Sequence, residues 1–229
     1  MKLLKGLYGI HSPSHGEKKM SEFVQGLLKR QRMDFETDER GQIFKIIPGR
    51  PILSCHMDQV QKGPPGKIIV ESAENITIIR GEKDGLGADD KNGIWICLRL
   101  LSEWDTSFIF STGEESISKN VEHVLRANQS VLGRIPYALV FDRRGHGDII
   151  GSENGYCTLE FEEHVAREGK AFGYRPCPGV FSDADSLCEH MECVNLSVGY
   201  HDAHSTTEYT VYQELVNALN FAHHLLDSL

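Results

Sequence analysis

The chain has 229 residues, of which 40% are hydrophobic and 25% are charged, and its formal net charge is −9. This composition is typical of a folded globular protein, and no apolar run is long enough to cross a bilayer. The acidic balance argues against a nucleic-acid binder, which needs a basic surface. The first residues lack the apolar stretch of a secretory signal, so we expect a cytoplasmic protein whose six cysteines are reduced thiols.

The predicted elements begin with one helix, which several short strands follow. Ser14 and Glu17 form the pattern of a capping box, and apolar residues at helical spacing come next. This pattern predicts an amphipathic helix over residues 14–32. Turn residues and β-type composition then predict four strands, at residues 42–47, 51–55, 67–70 and 76–79.

From Gly93 onward the predicted helices and strands alternate. Helices are predicted at residues 94–104, 121–129, 183–191 and 208–229. Strands are predicted at residues 107–111, 137–142, 156–163 and 194–198. Strands interleaved with helices predict a three-layer α/β/α fold, with a mixed central sheet and helices on both faces. Since the sequence has no linker-like stretch and no repeat, we expect residues 1–229 to form a single domain.

Acidic and histidine side chains cluster where predicted strands end and loops begin. They are His56 with Asp58, Asp89 with Asp90, Glu114 with Glu115, Asp142, and His204. Because ligands of open α/β sheets bind outside the carboxyl ends of strands, we expect these loops to meet at one place. Imidazole and carboxylate ligands suit zinc, with cobalt or manganese as alternatives. A pair of such ions needs one bridging carboxylate and a base beside it.

Each cluster also has an ordinary explanation when it is taken alone. Polar residues are common at strand ends, charged residues before a helix often cap it, and adjacent glutamates in a loop are usually solvated. The joint occurrence of the five clusters is what favours a shared metal site over these explanations.

Six segments of the chain resemble, in order, the motifs of the zinc exopeptidase superfamily, which includes peptidase T, carboxypeptidase G, aminoacylase and the co-catalytic zinc aminopeptidases. The segments are residues 11–17, 54–58, 87–93, 111–115, 140–142 and 204–208. The resemblance covers most of the chain and implies a zinc-exopeptidase-like fold. It also implies a cis peptide bond between Asp89 and Asp90.

The same resemblance implies a site with two divalent metal ions, foremost zinc. Carried over by position, it makes Asp89 the ligand that bridges the two ions. His56 and Asp142 would complete the coordination of one ion, and Glu115 and His204 that of the other.

Two further residues receive catalytic roles from the resemblance. Glu114 would be the general base that takes a proton from the bridging water and later delivers it to the leaving amine. Asp58 would be the carboxylate that fixes the orientation of the His56 imidazole.

The chain departs from many of these relatives because it lacks their inserted lid or dimerisation domain. The stretch from Asp142 to His204 and the stretch from His56 to Asp89 are both too short to hold one. The resemblance therefore implies a bare catalytic domain whose own loops recognise the substrate. Candidates for that work are Arg143, Arg144, His146, Tyr200 and His201. Asp183 falls beside the site in relatives, and a helix N-cap explains it equally well.

We expect an enzyme that hydrolyses an amide bond in short peptides, foremost an aminopeptidase that uses a metal-bridging hydroxide with Glu114 as the base. An N-acyl amino acid deacylase and a carboxypeptidase are the alternatives among enzymes. A metal-binding interaction module with little catalysis is the alternative from another class, and the retention of Glu114 argues against it. A homo-oligomer is compatible with the sequence, whereas nucleic-acid and membrane partners are not expected.

Overall fold

The computed structural model describes residues 1–116 and 119–229, and these contain eight α-helices and twelve strands. The helices are α1 (Lys2–Tyr8), α2 (Lys18–Arg30), α3 (Ala88–Leu100), α4 (Val121–Ala127), α5 (Gln129–Leu132), α6 (Leu159–Gly169), α7 (Ala184–Leu187) and α8 (Tyr212–Ser228). The strands are β1 (Glu36–Thr37), β2 (Ile43–Lys45), β3 (Ile52–His56), β4 (Ile68–Ala73), β5 (Ile76–Gly81), β6 (Ser107–Ser111), β7 (Tyr137–Arg143), β8 (Asp148–Ile150), β9 (Arg175–Pro176), β10 (Glu192–Ser197), β11 (Tyr200–His201) and β12 (Tyr209–Val211). Within the described residues, every helix is too short or too polar to cross a membrane.

An eight-stranded sheet forms the centre of the molecule, in the order β1-β2-β6-β3-β7-β10-β8-β9. Its middle strands β6, β3, β7 and β10 are parallel to one another, whereas β2 pairs antiparallel with β6 and β8 pairs antiparallel with β10. Parallel strands are covered on both faces and therefore read as continuous apolar runs. In agreement, every residue of β3 and β6 is buried. The predicted mixed sheet is confirmed.

Helices cover both faces of this sheet. Side chains alternate across a strand, so neighbouring residues belong to different cores: Leu53 lies in the larger apolar cluster and Ile52 in the smaller one. The larger cluster takes apolar residues from α1, α2, α3, α6 and α8, and the smaller one takes them from α4, α5 and α7. The sheet thus lies between two helical layers, as the sequence predicts.

Helix α3 packs against the centre of the sheet and is buried almost along its whole length. Gly93 allows this close approach, because a Cβ atom there would overlap the carbonyl oxygen of Phe141 in β7 and the carboxylate of Asp90. The Asp89–Asp90 peptide bond at the start of the helix is cis, as the resemblance implies. Helix α3 therefore brings Asp89 to the end of the central strands.

A second, four-stranded antiparallel sheet has the order β11-β12-β5-β4. Strands β4 and β5 confirm the two strands predicted at residues 67–70 and 76–79. The predicted helix over residues 208–229 starts later, at Tyr212, because residues 209–211 pair with β5 as strand β12. The loop between β11 and β12 carries His204.

The predicted capping box at Ser14 and Glu17 is wrong. Helix α2 begins at Lys18, with Glu17 in the N-cap position and without a side-chain cap. The Ser14 hydroxyl instead donates to Asp58 at 2.8 Å, and the Glu17 carboxylate accepts from the backbone N–H of Gly113 at 3.0 Å. Both side chains are thus engaged by neighbouring loops of the site. Smaller boundary differences affect α3 and α7, which are predicted at residues 94–104 and 183–191.

The strand predicted at residues 156–163 is also wrong, because this stretch leads into helix α6. Thr158 caps the helix by accepting a hydrogen bond from the backbone N–H of Phe161 at 3.3 Å. The alternation of polar and apolar residues is misleading here, since Glu162 is itself buried. Its carboxylate accepts hydrogen bonds from the backbone N–H and the hydroxyl of Ser152 at 2.8 and 2.7 Å.

Candidate metal centre

The acidic and histidine clusters meet at the carboxyl ends of the central parallel strands. His56 is the last residue of β3, Glu114 and Glu115 follow β6, and Asp142 lies near the end of β7. Asp89 reaches the same edge from the start of α3. Because β3, β6 and β7 run parallel, their carboxyl ends open on one side of the sheet, where ligand sites of such folds lie.

The carboxylate of Asp89 lies between two imidazoles. Its Oδ1 atom is 3.1 Å from His56 Nε2, and its Oδ2 atom is 3.1 Å from His204 Nε2. His56 Nε2 is also 3.5 Å from Asp142 Oδ1, and His204 Nε2 is 3.1 Å from Glu115 Oε2. The five residues that the resemblance names as metal ligands therefore form one continuous cluster around Asp89.

Two groups of three side chains within the described residues have ligand atoms that all lie within 4.8 Å of one another. One group is His56, Glu114 and Asp142, and the other is His56, Asp89 and Glu115. Both groups combine an imidazole with carboxylates, the ligand types that bind zinc, cobalt or manganese.

The electrostatics of the cluster fit a cation in its middle. Burial, together with the nearby charge of Asp142, raises the pKa of Glu114 to about 10. Burial also raises the pKa of Asp142 to about 7. The Oε1 atom of Glu115 is buried and has no hydrogen-bond partner within the described residues. Neighbouring carboxylates and a buried oxygen without a hydrogen-bond partner destabilise the folded protein unless a positive charge balances them. These residues therefore fit a site for a divalent metal ion.

The carboxylates of the cluster also raise the pKa of both histidines. Hydrogen bonds to Asp89 and Glu115 raise the pKa of His204 to about 10. For His56, burial lowers the pKa, but the charge of Asp142 and hydrogen bonds to its carboxylate neighbours outweigh it and leave the pKa well above the usual value.

Asp58 holds the loop of the two glutamates. Its Oδ1 and Oδ2 atoms accept hydrogen bonds from the backbone N–H groups of Glu114 and Glu115, both at 3.1 Å. The His56 Nδ1 atom is 3.1 Å from the backbone carbonyl oxygen of Asp58 and 3.4 Å from its carboxylate. Asp58 therefore contacts the imidazole, as the resemblance implies, and in addition fixes the backbone of Glu114 and Glu115.

Three further buried carboxylates bind backbone N–H groups of the site, and the sequence patterns do not predict these contacts. Glu17 accepts from Gly113, Asp90 accepts from His56 at 3.3 Å, and Glu208 accepts from Ala88 at 2.8 Å. All three belong to segments that resemble family motifs. Their acidic character at such positions was the available signal, but their backbone partners are distant in the chain.

Asp183 lies in the N-cap position of α7 without making a side-chain cap bond. Its buried carboxylate instead accepts a hydrogen bond from the hydroxyl of Ser111, the last residue of β6. Burial raises the pKa of Asp183 to about 6. Of the two explanations that the sequence leaves open, the structure favours a residue beside the site.

The cluster opens into a cleft of about 440 Å³. Arg143, Arg144, Tyr200, Val180 and Phe181 are among the residues that line it. The Tyr200 hydroxyl donates a hydrogen bond to Asp142 Oδ1 at 3.4 Å. Three of the five candidates for substrate recognition thus face the cleft.

The other two candidates, His146 and His201, make their contacts elsewhere. The His146 ring packs edge-on against Tyr174, with ring centroids 5.8 Å apart. His201 Nε2 lies 2.6 Å from Glu214, and its ring stacks on Tyr209. Neither is among the residues that line the cleft, so the structure does not support these two candidates for substrate recognition.

Comparison with known proteins supports the fold that these motifs indicate. No protein-family model matches the chain. A curated relative from Pyrobaculum aerophilum, described as a candidate LysW-lysine/LysW-ornithine hydrolase, is 30% identical over 131 residues. This match covers 54% of the chain and 36% of the relative, so the chain spans about a third of that protein's length.

Two solved structures resemble the whole chain in fold. The TET1 peptidase of Pyrococcus horikoshii has 14% sequence identity and a TM-score of 0.74, and the match covers 97% of this chain and 98% of that one. The aminopeptidase PepT of Bacillus cereus has 15% identity and a TM-score of 0.73, with 99% and 96% covered. The chain therefore has the α/β fold of aminopeptidase catalytic domains, and the resemblance drawn from its motifs is confirmed at the level of the fold.

Proposed function

We propose that the chain is a two-metal exopeptidase, foremost an aminopeptidase, that hydrolyses an amide bond of short peptides. The observation that carries this proposal is the position of Asp89, whose two carboxylate oxygens each lie 3.1 Å from a different histidine. A carboxylate shared in this way is what a bridged pair of metal ions requires. Glu114 lies beside it, with Oε2 4.0 Å from His56 Nε2.

In this proposal Asp89 would be shared by two ions, His56 and Asp142 would hold one of them, and Glu115 and His204 would hold the other. The ions, foremost zinc, would polarise the scissile carbonyl group and increase the acidity of water when they are bound. Glu115 supplies an oxygen that no described residue satisfies, which supports its assignment as a ligand.

Glu114 is proposed as the group that moves the proton. Its carboxylate takes a proton from the attacking water and gives it to the nitrogen of the leaving amine, which converts that nitrogen into a good leaving group. The two hydrogen bonds that Asp58 accepts from Glu114 and Glu115 hold this loop in place.

We also propose that residues 1–229 act as one catalytic domain without an inserted lid. The cleft walls then come from the loop after β7 and from the loop around Phe181. The TET1 peptidase assembles into a tetrahedron or a large octahedral shell, and self-association of this chain is part of the proposal. A cytoplasmic location stays a prediction from the sequence.

A substrate panel tests the proposed function. Protein loaded with zinc, cobalt or manganese is given an aminoacyl amide, a free dipeptide and an N-acetyl amino acid. An aminopeptidase cleaves the first two and leaves the third intact. A deacylase requires the blocked amine of the N-acetyl amino acid, and a carboxypeptidase tolerates a blocked amine. Absence of hydrolysis in every combination, with metal bound, would instead support an interaction module.

A further inference from the structure

Two consecutive arginines on one wall of the cleft have different surroundings. The Arg143 guanidinium donates from Nε and Nη2 to Asp148 Oδ2, at 3.1 and 3.0 Å, and its side chain is 15% exposed. Its charge is therefore balanced within the protein. The Arg144 side chain is exposed and faces the same cleft. It makes no hydrogen bond or ion pair with another residue of the described ranges, 1–116 and 119–229.

The backbone that carries Arg144 is nevertheless held firmly. The carbonyl oxygen of Arg144 accepts a hydrogen bond from the Ser197 hydroxyl at 3.0 Å. The next residue, Gly145, donates its N–H to the Tyr200 carbonyl at 2.7 Å and accepts from Gly199 at 2.9 Å. Because these bonds fix the loop to the end of β10 and to β11, the guanidinium extends from a fixed base toward the cleft.

The cleft thus has three chemically distinct parts. The floor carries the carboxylates and histidines of the candidate metal centre, and Arg144 supplies a positive group with no counter-ion in the described chain. The third part is apolar and open to solvent, because Val180 is 73% exposed and Phe181 is 39% exposed. The volume of about 440 Å³ is in the range of pockets for small ligands.

We propose that Arg144 binds a carboxylate of the substrate, on the amino acid that leaves with the amine. This inference rests on the proposed function and names the substrate class. The substrates are short peptides whose leaving residue carries a free carboxylate, and an apolar side chain of the peptide packs against Val180 and Phe181. A guanidinium matches a carboxylate with two parallel hydrogen bonds, which gives both affinity and orientation. The carboxylate is either the α-carboxylate of the peptide or an acidic side chain.

The test compares three peptides in four proteins. The peptides are Leu-Leu, Leu-Leu amide and Leu-Asp amide, and the proteins are the parent, Arg144→Ala, Arg144→Lys and the control Arg167→Ala. Arg167 is 64% exposed on α6 and does not line the cleft. The parent should prefer Leu-Leu over its amide by about 10- to 100-fold in kcat/KM, the size expected for a charged hydrogen bond. Arg144→Ala should lose this preference mainly through KM, Arg144→Lys should keep part of it, and Arg167→Ala should behave as the parent.

Each outcome decides one point. If the parent cleaves Leu-Asp amide as well as Leu-Leu, an acidic side chain also serves, and if it does not, the α-carboxylate is the ligand. Equal cleavage of Leu-Leu and its amide by the parent overturns the proposal while leaving the peptidase assignment intact. If no peptide is cleaved, the peptidase assignment fails. In that case the role of Arg144 is decided by calorimetry, which measures the binding of Leu-Leu and Leu-Leu amide to metal-loaded Glu114→Gln protein with and without Arg144→Ala. Equal affinities for the two peptides overturn the proposal. A preference for Leu-Leu that Arg144→Ala removes supports it.

Discussion

The Glu208 carboxylate accepts a hydrogen bond of 2.8 Å from the backbone N–H of Ala88, although the two residues are 120 positions apart in the chain. Its other oxygen is 3.4 Å from the N–H of Asp89. Glu208 is fully buried. It therefore fixes the backbone of the residue that we propose as the ligand shared by two metal ions.

Replacing Glu208 should weaken metal binding although Glu208 is not proposed as a ligand. Replacement of a residue that orients metal ligands typically lowers the metal affinity by about 10–100-fold. We expect a loss of zinc affinity of this size in Glu208→Ala. The loss of two backbone contacts should also lower the free energy of unfolding by about 1–3 kcal/mol. Competition titration with a zinc indicator and chemical unfolding measure the two effects. The exposed Glu160→Ala variant is the control, and unchanged zinc affinity in Glu208→Ala would refute the positioning role.

Each histidine of the cluster should hold a different metal ion. His56→Ala and His204→Ala should each lower the zinc content, because the two imidazoles lie on opposite oxygens of Asp89. Elemental analysis of purified protein measures this content, and His123→Ala, an exposed histidine on α4, should retain the parent's value. Full metal content in both site variants would show that the ligand set is misassigned.

The two adjacent glutamates should differ in function. Glu114→Gln should keep the metal and the fold yet lower turnover by about 10²–10⁴-fold, the usual contribution of a general base. Glu115→Gln should instead lower the metal content, since its carboxylate contacts His204 at 3.1 Å. Turnover and zinc content are measured on the same samples. Near-normal turnover in Glu114→Gln would show that Glu114 is not the general base and would contradict the roles proposed for the two glutamates.

Asp58→Asn should reduce kcat more than KM. The asparagine side chain has only one acceptor oxygen, so one of the backbone N–H groups of Glu114 and Glu115 loses its partner. We expect a decrease of about 10–100-fold in kcat. Ser14→Ala is the matched variant, because it removes only the 2.8 Å bond to Asp58 and should cost about 1 kcal/mol of stability. Equal kinetic effects of the two substitutions would contradict this account of Asp58.

The sequence predicts the fold class, and it predicts that the acidic and histidine clusters lie close together, because both features depend on local patterns. Apolar runs such as the one in β6 indicate buried parallel strands, and the polar residues directly after them must lie at one edge of the sheet. This is why His56, Glu115 and Asp142 are found close together.

Features that depend on distant partners were beyond the sequence patterns. Strand β12 forms because Thr210 pairs with Ile79 in β5, so the local helical pattern is overridden at that point. Glu162 is polar, which in the sequence indicates an exposed position, but it is buried because its carboxylate accepts hydrogen bonds from Ser152. The role of Glu208 rests on the backbone of Ala88, which no spacing rule reveals.

The central claim, a two-metal peptidase site, is tested most directly by titrating chelator-treated protein with zinc while the hydrolysis of a free dipeptide is measured. We predict that the metal-free protein is inactive and that turnover rises to a plateau at two ions per chain. Turnover that persists without metal, or that reaches its plateau at one ion, would contradict the account.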